Sequence, residues 1–351
     1  MSGRIERLRR ELEDVGAASF LVSNPVNVRY LTGFESSNAF VLVDFERVII
    51  LTDGRYVEAA CAVDGVDAIL VDRDFEPGVA AAVPALADGP IAFEADHLTV
   101  WRHVTLAARG LELVGTVEVT LGLRAVKEPE ELEEIRRAAR ILNVVYERLA
   151  GESLVGRREA EVAWWIEQTM REEGADALAF DIAVASGPNS ALPHHHAGRR
   201  RIEAGETVVV DAGAKVDGYC SDCTRTFATG PLPEGLRRAY SVCRSAQESA
   251  LAGVEDGAEA RGLDEIARGE IKEAGFEVLH GLGHGVGLEV HELPVMRPTA
   301  NGALAAGNVV TVEPGVYLPG LGGVRIEDLV VVTENGAEVL TPFTKDLLTL
   351  D

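Results

Sequence analysis

AGETVVVDAGAKVDGYCSDCTRTF, Ala204–Phe227, is the stretch on which the fold turns. Its β-branched run, Thr207–Val210, reads as a buried strand ending on Asp211. An acid at the end of such a strand is costly unless something pairs with it. Further along, Ala306–Gly315 reads AGNVVTVEPG. At an offset of 102 residues, Gly205 falls on Gly307, Val208 on Val310, Val210 on Val312, Asp211 on Glu313 and Gly213 on Gly315. Each copy soon meets another acid, Asp222 in GYCSDCT and Glu327 in GGVRIEDLV. Helical patterns around Leu236–Val254 and Leu263–Ala274 lie between the copies. The frame predicts a duplicated unit of helices and a strand pair, closing on itself about a pseudo-twofold axis.

Upstream of the first copy, RAVKEPEELEEIRRAARILNVVYERLA opens a new unit. Pro129 suits a first helical turn, and Leu132, Ile135, Ala139, Leu142, Val145 and Leu149 recur at helical spacing. A second helix, REAEVAWWIEQTMREEG, ends at Gly174, with Trp164 and Trp165 expected in the core. Residues 1–122 form a separate α/β unit: a first helix near Arg4–Val15, then strands in ASFLVSN, AFVLVDF, RVIILTDGRY, DAILVD and PIAFEA. The expected division is therefore 1–122 and 123–351, in an α/β (α+β) chain.

The chain has 351 residues and a net charge of −24, which argues against nucleic acid and anionic membrane surfaces as partners. Lysine occurs only at 127, 215, 272 and 345. High acid with little lysine suits either a high-salt cytoplasm or GC-rich coding. No apolar run is long enough to span a membrane, and the charged start lacks a signal-peptide core, so a cytoplasmic protein is expected. The four cysteines are too few for a disulfide framework. Cys220-Ser-Asp-Cys223 matches C-x-x-C, but it lies in a strand pattern where residues three apart point to opposite faces.

Four strand-borne acids, Asp211, Asp222, Glu313 and Glu327, cannot stay ionised together without positive charge between them. Two divalent cations answer this requirement. Histidine placement agrees: six of eight lie in SALPHHHAG (His194, His195, His196) and HGLGHGVGLEVHE (His280, His284, His291). GLGHGVG is not a dinucleotide fingerprint, and its alternating glycines suit a strand that another backbone approaches closely. HELPV is not H-E-x-x-H, and no G-x-S-x-G occurs.

VVVDAG, GYCSDCTRTF, HGLGHGVGLEVHE, TVEPGVY and GGVRIEDLV together resemble the ordered motifs of the pita-bread metallopeptidases. NPVNVRYLTGF and LTDGRY resemble the creatinase-like N-terminal domain of the proline-specific branch. The resemblance spans nearly the whole chain. It implies a creatinase-like α/β domain followed by a pita-bread domain. It implies Asp211, Asp222, His284, Glu313 and Glu327 as metal ligands, with Asp222 and Glu327 shared by both ions. A set of oxygens and one nitrogen favours Mn²⁺, Co²⁺ or Fe²⁺, with Zn²⁺ also accommodated. Glu313 is the implied proton shuttle, His194 and His291 the implied contacts to substrate and intermediate, and His280 a further pocket histidine. Arg325 is expected at the substrate pocket, orienting Glu327 or its neighbours. His195 and His196 have no clear counterpart and are expected to face solvent. Cys223 beside Asp222 is either an oxidation-sensitive thiol or simply packed away.

The resemblance implies hydrolysis of small peptides at the bond preceding proline, by an Xaa-Pro dipeptidase. The alternative is an Xaa-Pro aminopeptidase acting on longer peptides. Less favoured are a non-peptidase creatinase-like hydrolase and a metal-free binding module. A dipeptidase needs a cation for the proline carboxylate, and Arg297 is the candidate. The family habit is a homodimer, with YLTGFESSNAF as a candidate contact.

Overall fold

The computed structural model describes residues 2–72 and 74–351. It divides into two compact units, Met1–Arg124 and Ala125–Asp351.

The first unit is built on one six-stranded sheet. Its order is Asp67–Leu70, Val48–Thr52, Ala39–Asp44, Ser19–Val22, Ile91–Glu94 and Leu113–Thr116. The meander from Ser19 to Thr52 is antiparallel, and the outer strands join parallel. Leu21, Phe40, Leu42, Ile49, Leu51 and Phe93 fill one core. The NPVN motif has a structural explanation here. Pro25 opens the Pro25–Thr32 helix, and Asn24 caps it by accepting from the Val26 amide at 3.0 Å. The buried Glu94 carboxylate then accepts from the backbone amides of Ser23 and Asn24, each at 2.7 Å.

In the second unit the duplication is visible element by element. Helices Pro129–Leu149 and Glu159–Glu172 precede a three-stranded antiparallel sheet whose middle strand is Thr207–Ala212. Helices Glu234–Ala252 and Ala260–Glu273 precede a second sheet in which Val309–Val312 lies between Gly283–Gly285 and Asp328–Thr333. Gly205 and Gly307 both adopt left-handed backbone, at φ +83° and +89°, in the turn leading into each middle strand. Two hydrophobic clusters result: one under the first helix pair, around Leu142, Val145, Val208 and Val210, the other around Ala246, Ile271, Val310 and Val330. Tyr146 ties helix to sheet, its hydroxyl donating to the carbonyls of Val210 (3.1 Å) and Cys223 (2.6 Å).

Two expectations need correction. Trp164 is 65% exposed, and only Trp165 packs against the core. Adjacent helical residues diverge by about 100°, so one core cannot take both. The strand Leu113–Thr116, short and half-exposed, was not anticipated. The cysteine pair behaves as its strand setting requires. Cys220 and Cys223 are buried on separate strands, their sulfurs turned to the carbonyls of Leu288 (3.7 Å) and Glu327 (3.5 Å).

The chain ends by crossing both halves of the second unit. Phe343 stacks on Tyr146 with ring centroids 5.6 Å apart. Tyr240 donates to the Lys345 carbonyl at 3.0 Å. Ala228 and Thr349 form a parallel bridge, with amide-to-carbonyl bonds from Ala228 to Leu348 (2.9 Å) and from Leu350 to Ala228 (2.8 Å).

Candidate metal centre

Strand register brings the acids together. In the antiparallel pair Thr207–Ala212 and Cys223–Ala228, Asp211 lies opposite Thr224, and Asp222 immediately precedes the second strand. Glu313 directly follows Val309–Val312, and Glu327 stands at the corner between Gly322–Arg325 and Asp328–Thr333. One carboxylate oxygen from each of Asp211, Asp222 and Glu327 lies within 4.8 Å of the others. His284 completes the group, its Nε2 3.4 Å from Glu313 Oε1 and 3.8 Å from Asp222 Oδ2. His284 Nδ1 donates to the Gly285 carbonyl at 3.1 Å, which turns Nε2 toward the acids. Its strand, Gly283–Gly285, lies so close to the carbonyls of Thr311 and Leu293 that a Cβ at either glycine would collide with them.

Two buried oxygens in this group, Asp211 Oδ1 and Glu327 Oε1, have no hydrogen-bond partner. Orphaned buried acceptors are rare and costly, and here two belong to members of one acid cluster. Four carboxylates and one imidazole suit a divalent cation that prefers oxygen with some nitrogen, so the residues fit the expected ions.

The electrostatics of the metal-free group follow from crowding. Burial, then the neighbouring Glu327, Asp211 and Glu313, hold the Asp222 carboxyl well above its usual range. Burial and the charges of Glu313 and Asp211 push Glu327 up to about 8. Glu313 goes the other way: burial opposes ionisation, but the His284 hydrogen bond and charge win and bring it to about 2. Burial disfavours charge on His284, yet the Glu313 bond and the surrounding acids raise it to about 9. Cation uptake must therefore expel protons from Glu327, Asp222 and His284. Both kinds of raised group favour the folded metal-free state at lower pH. That stability fades as pH rises from 4.5 to about 8 for Glu327 and from 6.5 to about 9 for His284. Chelated protein should thus melt at a higher temperature at pH 5.5 than at 8.5, and added divalent cation should reverse the order. A melting temperature of chelated protein that rises across this interval would contradict the assignment.

Around the acids lies a cleft of about 400 Å³. Arg325 is buried beneath it. Its Nη2 binds Asp211, its Nη1 reaches Tyr317 Oη (3.2 Å) and the Pro193 carbonyl (3.3 Å), and its Nε donates to Thr224 Oγ1 (3.0 Å). Thr224 in turn donates to Glu327 Oε2 at 2.6 Å, so Arg325 reaches Glu327 through this hydroxyl. His280 also lines the cleft, with Nδ1 on the Gly281 carbonyl (2.8 Å) and Nε2 on Tyr317 Oη (2.9 Å). His291 packs edge-on against His284, with centroids 4.4 Å apart; burial and the His284 charge lower its pKa.

The histidine triplet divides. His194 and His196 line the cleft, whereas His195 turns inward to Glu159 at 2.9 Å. Glu159 is fully buried and also accepts from Ser186 and Asn189. The expectation of solvent is corrected for His195 alone; His196 is exposed, as expected, at the rim of the cleft. Arg297 is exposed and does not line the cleft, so it is not the cation a free carboxylate would need there. Sequence reasoning missed Phe180, Asp181 and Val290 on the cleft wall. Tyr317 stood in the quoted TVEPGVY motif, four residues after Glu313, and that was its signal.

Residues 133–334 match Metallopeptidase family M24, and residues 4–126 match the Creatinase/Prolidase N-terminal domain. The chain is 35% identical to the Xaa-Pro dipeptidase of Pyrococcus furiosus, over 99% of this chain and 100% of that protein. It superposes on the structure of an Xaa-Pro dipeptidase from Bacillus anthracis with a TM-score of 0.96, at 36% identity and 99% coverage of both chains. An X-Pro aminopeptidase structure from Thermotoga maritima superposes with a TM-score of 0.88, at 34% identity, covering 98% of this chain and 99% of that one.

Proposed function

The chain belongs to metallopeptidase family M24, and from that premise we propose that it is a prolidase-type hydrolase, cleaving Xaa-Pro dipeptides with two divalent cations. The observation that carries the reading is the pair of orphaned oxygens, Asp211 Oδ1 and Glu327 Oε1, inside a buried acid cluster. Asp211, Asp222, His284, Glu313 and Glu327 would hold the ions, Mn²⁺ or Co²⁺ ahead of Fe²⁺ or Zn²⁺. Bound there, the cations would polarise the scissile carbonyl and supply a hydroxide-like nucleophile from water near neutral pH.

The chain's own residues do the rest. Glu313, ionised and partly open to the cleft, accepts a proton on a carboxylate oxygen and returns it to the departing proline nitrogen. His291 and His194, both on the cleft wall, donate to the carbonyl oxygen and to the substrate backbone. Every nitrogen of Arg325 is already engaged by protein, so it braces Asp211 and the Pro193 carbonyl while forming the pocket floor. His280 shapes the substrate pocket through Tyr317. The same reading carries a cytoplasmic homodimer. No helix among the described residues is long and apolar enough to cross a membrane.

One observation favours the aminopeptidase alternative. Among the described residues the cleft lining includes no lysine, and its one arginine, Arg325, is committed to Asp211, so a dipeptide's carboxylate would meet imidazoles and not a free cation. Metal-stripped protein reloaded with Mn²⁺ or Co²⁺ and offered Ala-Pro and Ala-Pro-Ala decides the matter. Release of alanine from the dipeptide is expected. Preference for the tripeptide would make the enzyme an aminopeptidase. Cleavage of neither, with both metals bound, would sink the Xaa-Pro reading.

A further inference from the structure

The residue after Glu327 is Asp328, 1% exposed and not itself part of the cleft lining. Its carboxylate accepts from Arg225 Nη2 at 2.8 Å, from Lys345 Nζ at 2.6 Å and from Gln247 Nε2 at 3.0 Å. Gln247 Oε1 accepts in turn from Lys345 Nζ at 2.8 Å. Arg225 lies three residues after Asp222, on the strand Cys223–Ala228, and is buried. Its guanidinium donates to the carbonyls of Glu327, Thr341 (2.8 Å) and Phe343 (2.7 Å). One buried group thus binds both acid-bearing strands to the last stretch of the chain. Two cations meet one anion here, leaving a positive excess directly behind a crowd of four carboxylates. Neither the duplicated frame nor the proposed mechanism calls for it.

We propose that the segment Thr341–Lys345 is a strap that belongs to the metal centre, with Lys345 as a positioning residue. Its ammonium fixes Asp328, and with it the Glu327 corner, and lends positive charge to the acid cluster. The inference rests on the metal-centre reading above. Residues that orient metal ligands typically change affinity by about 10- to 100-fold when removed.

The test is Lys345→Met in the full-length protein, titrated with Mn²⁺ or Co²⁺ against a chelator, with bound metal counted by elemental analysis. The expected result is affinity weakened by about 10- to 100-fold. Lys345→Arg, which keeps the charge and the donors, should recover most of it. Activity at saturating metal should return toward wild type. Metal affinity of Lys345→Met equal to wild type, in a folded protein, overturns the strap. Loss of melting temperature with affinity untouched does the same, since it marks a merely structural contact. Should the methionine variant fail to fold, Lys345→Gln, which retains a donor without the charge, is read by the same criteria. Wild-type protein that binds no divalent cation overturns the metal-centre reading itself and the strap with it.

Discussion

Asp222→Asn should lower kcat/KM for Xaa-Pro substrates by at least about 1000-fold, equivalent to roughly 4 kcal/mol of transition-state stabilisation. Asp222 sits within 4.8 Å of both Asp211 and Glu327 and 3.8 Å from His284, at the centre of the proposed ligand set. An amide removes one negative charge and turns N–H donors toward groups that must bind a cation. A ligand contacting the ions should matter more than the 10- to 100-fold typical of residues that only orient ligands. The fold should survive. Burial and three neighbouring acids disfavour ionised Asp222 in the metal-free protein, so the substitution relieves repulsion there. Elemental analysis should show lost metal, while the melting temperature in chelator is unchanged or higher. Wild-type activity and metal content in Asp222→Asn would remove this residue from the centre.

Lys127→Met should cost about 3–5 kcal/mol of stability, the usual penalty for breaking a buried ion pair by removing one member. Lys127 Nζ lies 3.2 Å from Glu292 Oε2, and both side chains are 1% exposed. For a unit of this size the loss corresponds to a melting temperature lower by roughly 6–20 °C. Glu292 also accepts from the Glu289 amide at 3.0 Å, closing the loop that carries Val290 and His291 into the cleft. KM should therefore rise along with the instability. The double variant Lys127→Met/Glu292→Gln should recover part of the stability, because the charge balance of the pair is then restored. A single variant within 1 kcal/mol of wild type, by denaturant unfolding, would show the pair to be dispensable.

Much of the candidate site could be read from the sequence because its acids are tied to strand ends. Asp211 and Glu313 occupy matching positions in a repeated frame, and matching left-handed glycines, Gly205 and Gly307, set both turns. Local spacing cannot report contacts made across a hundred residues. Arg225 reaches Asp328 and Thr341, and Lys127 reaches Glu292, only once the two halves close. The histidine triplet was opaque for a different reason. Which imidazole turns inward depends on Glu159, which the sequence leaves as one glutamate among many on a helix. Trp164 was within reach: its neighbour Trp165 had already claimed the core side.

The placement of acids on two separate hairpins bears on how the catalytic unit assembles. Asp211 and Asp222 are eleven residues apart, and Glu313 and Glu327 fourteen, so each pair forms within a short chain loop. Joining the pairs closes a loop of about a hundred residues, and the entropy of that closure is largely settled by the sheets before any ion arrives. Cation binding at the proposed ligand set would then act as a late fastening between two prefolded halves. It would slow their separation more than hasten their formation, and so contribute mainly to kinetic persistence.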